Sequence, residues 1–188
     1  MLLPKVNKAI VSSAIGSLLK GLHMSEHIHC EGTPDRVARM WEGLMDCEEP
    51  QYTKCPYDYK VDMIVTRNHV TWGFCPHHIL PVKYAITIGY IPDAEVFGAS
   101  KPLRIADYIA SRFPLQEDIP GLIYDIFARE IHPRGFGCVV RGEHMCMRMR
   151  GVKSPCSDMV TPLLMGEMKD SPWREQLLVC VDMKAGAL

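Results

Sequence analysis

The sequence of 188 residues predicts an α+β fold, because helical and strand-like patterns occupy separate parts of the chain. Two helical patterns come first, two alternating strands follow, and a pair of helices precedes the last strands. The predicted helices cover residues 5–22, 33–44, 100–113 and 116–131, and the predicted strands cover residues 57–66, 82–91, 136–149 and 160–168. The last of these is predicted as a strand end with a short amphipathic piece.

The helix boundaries carry recognisable signals. Thr33 is predicted as an N-cap with Pro34 at the first helical position, and Ser171-Pro172 repeats this arrangement before a last helix. Ser100 is placed as an N-cap, and Gly21 is a plausible end for the first helix. We expect an N-terminal helical segment over residues 1–50 and a second domain over residues 51–188.

Composition restricts the class of protein. A hydrophobic fraction of 47% and a net charge of −1 fit an ordinary globular chain, in which any anion site must be local. We find no long basic stripe interleaved with aromatic residues and no apolar run of bilayer length, so neither nucleic acid nor a membrane is an expected partner. Residues 1–5 lack the layout of a secretory signal, which favours a cytoplasmic location.

Eight cysteines are many for this length. Because the chain can build a core of ordinary size, we expect reduced thiols and not a disulfide framework. Most of them are predicted to be buried apolar fillers. This group comprises Cys30, Cys47, Cys55, Cys138, Cys156 and Cys180. His23, His27 and His29 precede Cys30 in a spacing that matches no structural zinc pattern, so a solvated loop is the simpler account.

Residues 142–150 are the most informative stretch. Read as a strand, one face carries His144, Cys146, Arg148 and Arg150, and the other carries methionines. A thiol, an imidazole and guanidinium groups in one row suit a site for a metal and an anion. The alternative is a solvated outer face with one incidental cysteine.

Cys75 and His78 have the spacing of metal ligands, and Cys146 offers a third. A structural zinc site uses four protein ligands, whereas a catalytic site keeps one position for water, so three ligands point to catalysis. His77 and His144 lie beside these ligands, and either could be a general acid or base.

Lys101 and Arg104 stand near the start of the helix predicted from Ser100. Cations are mildly unfavourable there unless an anion binds, and a phosphate would fit. The alternative is that both side chains point into water. Glu117 lies in the first turn of the next predicted helix. Its carboxylate either only interacts favourably with the helix dipole or pairs with a guanine edge.

Six blocks of sequence resemble the GTP cyclohydrolase I family in order and spacing, over about residues 30–180. They are residues 33–38, 75–78, 90–92, 98–101, 116–117 and 144–152. The resemblance implies that residues 51–188 are a catalytic domain with a tunnelling fold, in which an antiparallel four-stranded sheet carries two helices between its second and third strands. It also implies a homo-oligomer, typically a decamer of two pentamers with active sites between subunits.

The resemblance further implies an activity. In this family GTP is opened at C8 of the purine, formate leaves, and the product recloses to 7,8-dihydroneopterin triphosphate. By position, the resemblance assigns zinc (Zn²⁺) to Cys75, His78 and Cys146; proton handling to His77 and His144; the ribose or opening ring to Ser100; guanine to Gln116 and Glu117; and the triphosphate to Arg36, Lys101, Arg104 and Arg150.

The chain departs from the family pattern beside the metal. Pro76 stands where the family usually has Glu, Gly73-Phe74 replaces a small hydroxyl pair, and Tyr84-Ala85 replaces the usual Gly-Lys. Pro76 removes a carboxylate and a backbone N–H. Two alternatives therefore stay open: a homologue of the same fold acting on another purine nucleotide, and a non-catalytic oligomer that retains zinc. A nitrile reductase of the same superfamily ranks last, because no nicotinamide-binding pattern is present.

Overall fold

The computed structural model describes residues 5–45, 47–59 and 61–182. Residues 1–4, which include most of the stretch considered for a secretion signal, lie outside these ranges, as do residues 183–188 at the end of the predicted catalytic domain. The chain forms two compact units, Met1–Glu48 and Glu49–Leu188. The helices of the described part are all too short to cross a bilayer.

The first unit is a pair of helices, α1 (Lys8–Gly21) and α2 (Thr33–Met45), with a short 3₁₀ turn (Ile28–Cys30) between them. The side chain of Asn7 caps α1 by accepting from the backbone N–H of Ile10 at 3.2 Å, so the helix begins three residues later than predicted. An ion pair between Lys8 and Glu42, at 2.9 Å, joins the two helices.

The second unit contains two antiparallel sheets and four helices among its described residues. In chain order the elements are β1 (Lys54–Pro56), β2 (Ile64–Phe74), β3 (Pro81–Ile91), β4 (Glu95–Phe97), α3 (Lys101–Ala110), α4 (Ile119–Glu130), β5 (Gly135–His144), α5 (Met145–Arg148), β6 (Met159–Gly166), a 3₁₀ turn (Glu167–Lys169) and α6 (Trp173–Asp182). The strand order is β2-β3-β5-β6 in the larger sheet, and β1 pairs with β4 in the smaller. The predicted α+β class is confirmed.

The two faces of the larger sheet have different neighbours. On one face β3 buries Ile86, Ile88 and Tyr90, and the Tyr90 ring lies edge-on to Phe127 of α4, with centroids 5.4 Å apart. On the other face Gly89 of β3 pairs with Gly137 of β5, and both abut Leu177 of α6. A Cβ at Gly137 would come within 2.3 Å of that leucine side chain, so the glycine pair forms the recess in which α6 docks.

Several predicted elements need correction. Residues 57–59 and 61–63 are not in a strand, and β2 instead runs from Ile64 to Phe74 through a bulge between Thr66 and His69. The helix predicted from residue 116 begins at Ile119. The strand predicted over 136–149 ends at His144, and Met145–Arg148 is helical.

The six cysteines expected to be buried fillers also differ from that prediction. Cys138 is fully buried, and burial strongly raises the pKa of its thiol. Cys55 and Cys156 are exposed, and the other three are only partly buried. None of the eight cysteines, all of which lie in the described part of the chain, forms a disulfide.

Candidate metal centre

A tight turn between β2 and β3 presents two of the three predicted metal ligands. The backbone N–H groups of His78 and Ile79 donate to the carbonyl of Cys75, at 3.3 and 2.8 Å, and the N–H of Cys75 donates to Leu80 O at 2.9 Å. Pro76 sits at the second position of this turn, where its fixed φ is favourable. The turn therefore holds the Cys75 thiol and the His78 imidazole on the same side.

The third ligand comes from α5, the single helical turn after β5. Arg148 fixes this turn: its Nη1 donates to Glu143 Oε2 at 2.7 Å, and its Nε donates to Ser157 O at 3.2 Å. One hydrogen bond thus reaches back to β5, and the other reaches the loop before β6. Because α5 is helical, Cys146 does not share an extended face with Arg148 and Arg150 as predicted.

The structure brings Cys75, His78 and Cys146 together. One ligand atom from each residue lies within 4.8 Å of the other two, and no other such group occurs in the described part of the chain. Cys75 Sγ is 3.7 Å from His78 Nδ1. Tetrahedral zinc with Zn–S of about 2.3 Å and Zn–N of about 2.0 Å would separate these atoms by about 3.5 Å. Two thiols and an imidazole are also donors that zinc prefers, so the residues fit this metal.

A cavity of about 180 Å³ surrounds this group. It is smaller than the range of about 300–1,000 Å³ typical of whole-ligand sites, so it suits one ring system and not a complete nucleotide. Seven predicted site residues line it together: Cys75, His77, His78, Gln116, Glu117, His144 and Cys146.

Tyr84 also lines the cavity and was not predicted as a site residue. Its ring stands edge-on to His144, with centroids 6.2 Å apart. Burial, with smaller contributions from Cys75, Glu117 and Cys146, raises its pKa to about 12, so the phenol stays protonated. In the sequence Tyr84 looked like any other inward residue of β3, and only the missing Gly-Lys pair marked the position.

The surroundings also shift the pKa values of two further groups in the pocket, His144 and Cys146. Burial lowers the pKa of His144, and the charge of Glu117 partly opposes that shift. Burial and the neighbouring Cys75 thiol raise the pKa of Cys146, whereas the charge of Arg150 lowers it. Both burial effects disfavour charge in the absence of a partner.

Gln116 and His144 are joined directly. Gln116 is 2% exposed, and its Oε1 lies 2.7 Å from His144 Nε2. His77, by contrast, is exposed, although its Nδ1 is 3.6 Å from Cys75 Sγ. Arg150 reaches the rim of the centre, where its Nη1 contacts His78 Nε2.

Besides Arg150, four predicted site residues do not line this cavity. Ser100, Lys101 and Arg104 stand at the start of α3, whereas Ala110 at its end approaches Gly73, two residues before Cys75. A helix of ten residues spans about 15 Å, so these three side chains start far from the metal group of the same chain. Arg36 belongs to the first unit, where it donates to Glu31 O at 2.8 Å and to Thr33 Oγ1 at 2.7 Å.

Three converging ligands and flanking histidines in a pocket of an α+β fold define the class of candidate metal-dependent enzymes. Within that class, the sequence model of the family described as GTP cyclohydrolase I matches residues 11–182. The chain therefore belongs to the GTP cyclohydrolase I family, a family of hydrolases, and the resemblance inferred from its motifs is confirmed.

Named relatives agree with this assignment. The chain is 34% identical over 188 residues to GTP cyclohydrolase 1 of Aquifex aeolicus (strain VF5), a match that covers 94% of this chain and 97% of the relative. It is 36% identical over 163 residues to GTP cyclohydrolase 1 of Wolinella succinogenes, covering 80% and 85%.

A solved structure of the archaeosine synthase QueF-Like, in the apo form, is also similar to part of the chain. Its TM-score is 0.48 at 12% identity, and the match covers 57% of this chain and 97% of the other. The family assignment rests on the sequence relatives and not on this likeness.

Proposed function

We propose that this protein is a zinc-dependent GTP cyclohydrolase I that opens GTP at C8, releases formate and forms 7,8-dihydroneopterin triphosphate. The observation that carries the proposal is the convergence of Cys75, His78 and Cys146 in a pocket that also holds His144 and Glu117. Residues 51–188 would form the catalytic domain, with the tunnelling fold of the family, and residues 1–50 the N-terminal helical segment.

Zinc, when bound by Cys75, His78 and Cys146, would supply a Lewis acid that activates water near neutral pH. The protein would supply the rest. His77 and His144 would hold and deliver protons as the purine ring opens. Both histidines line the pocket, and His77 is exposed whereas His144 is half-buried, so His77 would be the more open of the two to exchange with solvent.

Recognition of the base and of the phosphates would be separated in space. The cavity is large enough for a ring system. Glu117, which lines it, would accept hydrogen bonds from the N–H edge of guanine. The resemblance assigns Gln116 to the same guanine pocket. The triphosphate would lie outside, held by Arg36, Lys101, Arg104 and Arg150. Binding energy from this unreactive part of GTP would then favour reaction at the base.

The separation of the start of α3 from the metal group supports an oligomeric site. Ser100, Lys101 and Arg104 of one subunit would complete the pocket of a neighbouring subunit, with Ser100 near the ribose or the opening ring. A homo-oligomer, typically a decamer in this family, follows from this proposal. The free thiols also suit a reducing, cytoplasmic setting.

The test is turnover of GTP by purified, zinc-loaded protein, followed by ultraviolet absorbance, with formate measured and the product identified by mass. We expect formate and 7,8-dihydroneopterin triphosphate in equal amounts. A parallel assay with dGTP and related purine nucleotides examines the alternative substrate class. A higher kcat/KM for one of those nucleotides than for GTP would overturn the proposed specificity, and normal turnover by metal-free protein would overturn the zinc dependence.

Mass measurement of the native assembly tests the shared site. An assembly is expected, and a mixture of two inactive variants provides a sharper assay. Lys101→Ala and His144→Ala proteins, co-assembled from denatured chains, should regain activity, because one class of interface would contain neither substitution. Full activity in a protein that is monomeric at assay concentration would exclude a site between subunits.

A further inference from the structure

Gln116 is a buried polar residue whose amide orientation can be fixed by its neighbours. Its Nε2 lies 2.8 Å from Met159 O, 3.1 Å from Thr161 Oγ1 and 3.2 Å from Val140 O. Backbone carbonyls only accept hydrogen bonds, so the NH₂ group must face β5 and β6. The opposite orientation would place the amide oxygen against two carbonyl oxygens in a site that is 2% exposed.

This orientation determines where His144 carries a hydrogen. The amide oxygen of Gln116 faces His144 Nε2 at 2.7 Å, and an amide oxygen only accepts. Nε2 must therefore be the N–H donor of the ring.

The space around the pair leaves this arrangement little freedom. A Cβ at Gly142 would come within 2.0 Å of Gln116 Oε1 and 3.1 Å of His144 Nε2. Tyr84 closes another side with its edge-on ring. The glycine on β5 thus makes room for the hydrogen bond, and the surrounding side chains keep both partners in place.

We propose that Gln116 is a positioning residue that holds the His144 ring in one orientation, with hydrogen on Nε2. The catalytic consequence rests on the proposed function; the placement of the hydrogen does not. Both amide hydrogens of Gln116 already serve the protein, so it has no donor left for a base. We therefore expect Glu117, which lines the same pocket, to contribute more than Gln116 to discrimination among purines.

The placement of the hydrogen is tested by magic-angle-spinning NMR of the zinc-loaded, full-length protein containing ¹⁵N-histidine. Comparison with His144→Asn protein assigns the His144 signals. We expect a protonated Nε2 with a slowly exchanging proton, and loss of that slow exchange in Gln116→Met protein. A neutral His144 ring with hydrogen on Nδ1 would overturn the proposal, as would unchanged exchange in the variant. The wild-type spectrum decides the placement even if Gln116→Met fails to fold.

Steady-state kinetics test the positioning role separately. Since residues that orient a functional imidazole typically contribute 10- to 100-fold, Gln116→Met should lower kcat by roughly that factor and change KM for GTP by less than about threefold. The ratio of kcat/KM for GTP over ITP, which lacks the 2-amino group, should stay constant in this variant and fall in Glu117→Gln. A raised KM with normal kcat, or a changed ratio, would instead mean that Gln116 contacts the base. Absence of any GTP turnover would refute the proposed function and leave the NMR result intact.

Discussion

Two segments deliver the candidate metal ligands, and they are held in place by different means. The Cys75–Leu80 turn is closed by backbone hydrogen bonds alone. The helical turn α5 has one backbone bond, from Met149 N–H to Met145 O at 3.0 Å, and is also tied to its neighbours by the side chain of Arg148. A turn closed by its backbone tolerates changes of side chain, and a turn fixed by a side chain does not. The Cys75–Leu80 turn should therefore tolerate changes of side chain, and we call it the robust segment. Helix α5 should not tolerate loss of Arg148, and we call it the sensitive segment.

The largest expected effect is the loss of zinc when a ligand is removed, and it should be similar for both segments. Cys75→Ser and Cys146→Ser each remove a thiolate ligand, so each should weaken zinc binding by more than the roughly 10- to 100-fold loss seen when only an orienting residue is removed. Metal content after dialysis, measured by mass spectrometry, checks this expectation. Cys156→Ser, at an exposed thiol, is the matched control and should retain zinc. Equal metal content in all three variants would contradict the three-ligand centre.

The next effect concerns the strand that leads into the sensitive segment. Gly142→Ala places a Cβ against Gln116 and His144, and overpacking of this kind typically costs about 1–3 kcal/mol. Chemical denaturation measures the change in the free energy of unfolding. Gly121→Ala in α4 is the control: nothing lies within 4 Å of the added Cβ, and alanine should stabilise the helix by about 0.5–1 kcal/mol. A neutral Gly142→Ala would show that the buried pair can rearrange freely.

Arg148 tests the contrast most directly. Arg148→Ala removes charge-assisted hydrogen bonds to Glu143 and Ser157, and a loss of about 1–2 kcal/mol is expected together with weaker zinc binding. Arg141→Ala provides the comparison, since its exposed ion pair with Asp158 at 3.4 Å should be worth less than about 1 kcal/mol. Unfolding curves and zinc titrations of both variants measure these losses in stability and in zinc affinity. Equal losses in the two variants would mean that α5 does not depend on Arg148.

The smallest effect is expected in the robust segment. Pro76→Glu restores the residue usual in the family and should cost about 0.4–1 kcal/mol, because the unfolded chain becomes more flexible. The backbone bonds of the turn do not involve the Pro76 side chain, so zinc affinity should change less than about tenfold. Calorimetric zinc titration checks this, with Pro76→Ala separating the effect of the ring from that of the carboxylate. A larger change in affinity would show that both segments are sensitive.

The ligand pair in the Cys75–Leu80 turn was easier to recognise from the sequence than the helical turn α5, for a physical reason. The spacing of Cys75 and His78 is local information, and so is the proline that shapes the turn. The end of β5 is set by its neighbours: β3 pairs with it only up to Val82 opposite His144, and β6 begins opposite Gly142. Beyond His144 no strand remains to pair with, so the alternating residues form a helical turn instead.

The same limit explains the misplaced first strand of the larger sheet. The bulge between Thr66 and His69 interrupts the alternation, and Asn68 there has a φ of 57°, which a simple pattern does not anticipate. Val70 and Trp72 then expose large apolar side chains on an edge strand, where they indicate no buried face. By contrast, the prediction of residues 82–91 was confirmed almost to the residue, because β3 is flanked by strands on both sides and one of its faces is buried.

The recess formed by Gly89 and Gly137 has a consequence for the order in which the chain can assemble. The socket for Leu177 exists only after two strands from distant parts of the polypeptide have met in the right register. Helix α6 can therefore dock only late in folding, after β3 and β5 have paired. Amide hydrogen exchange during refolding should show protection arising in β3 and β5 before α6, and simultaneous protection would contradict this sequence of events.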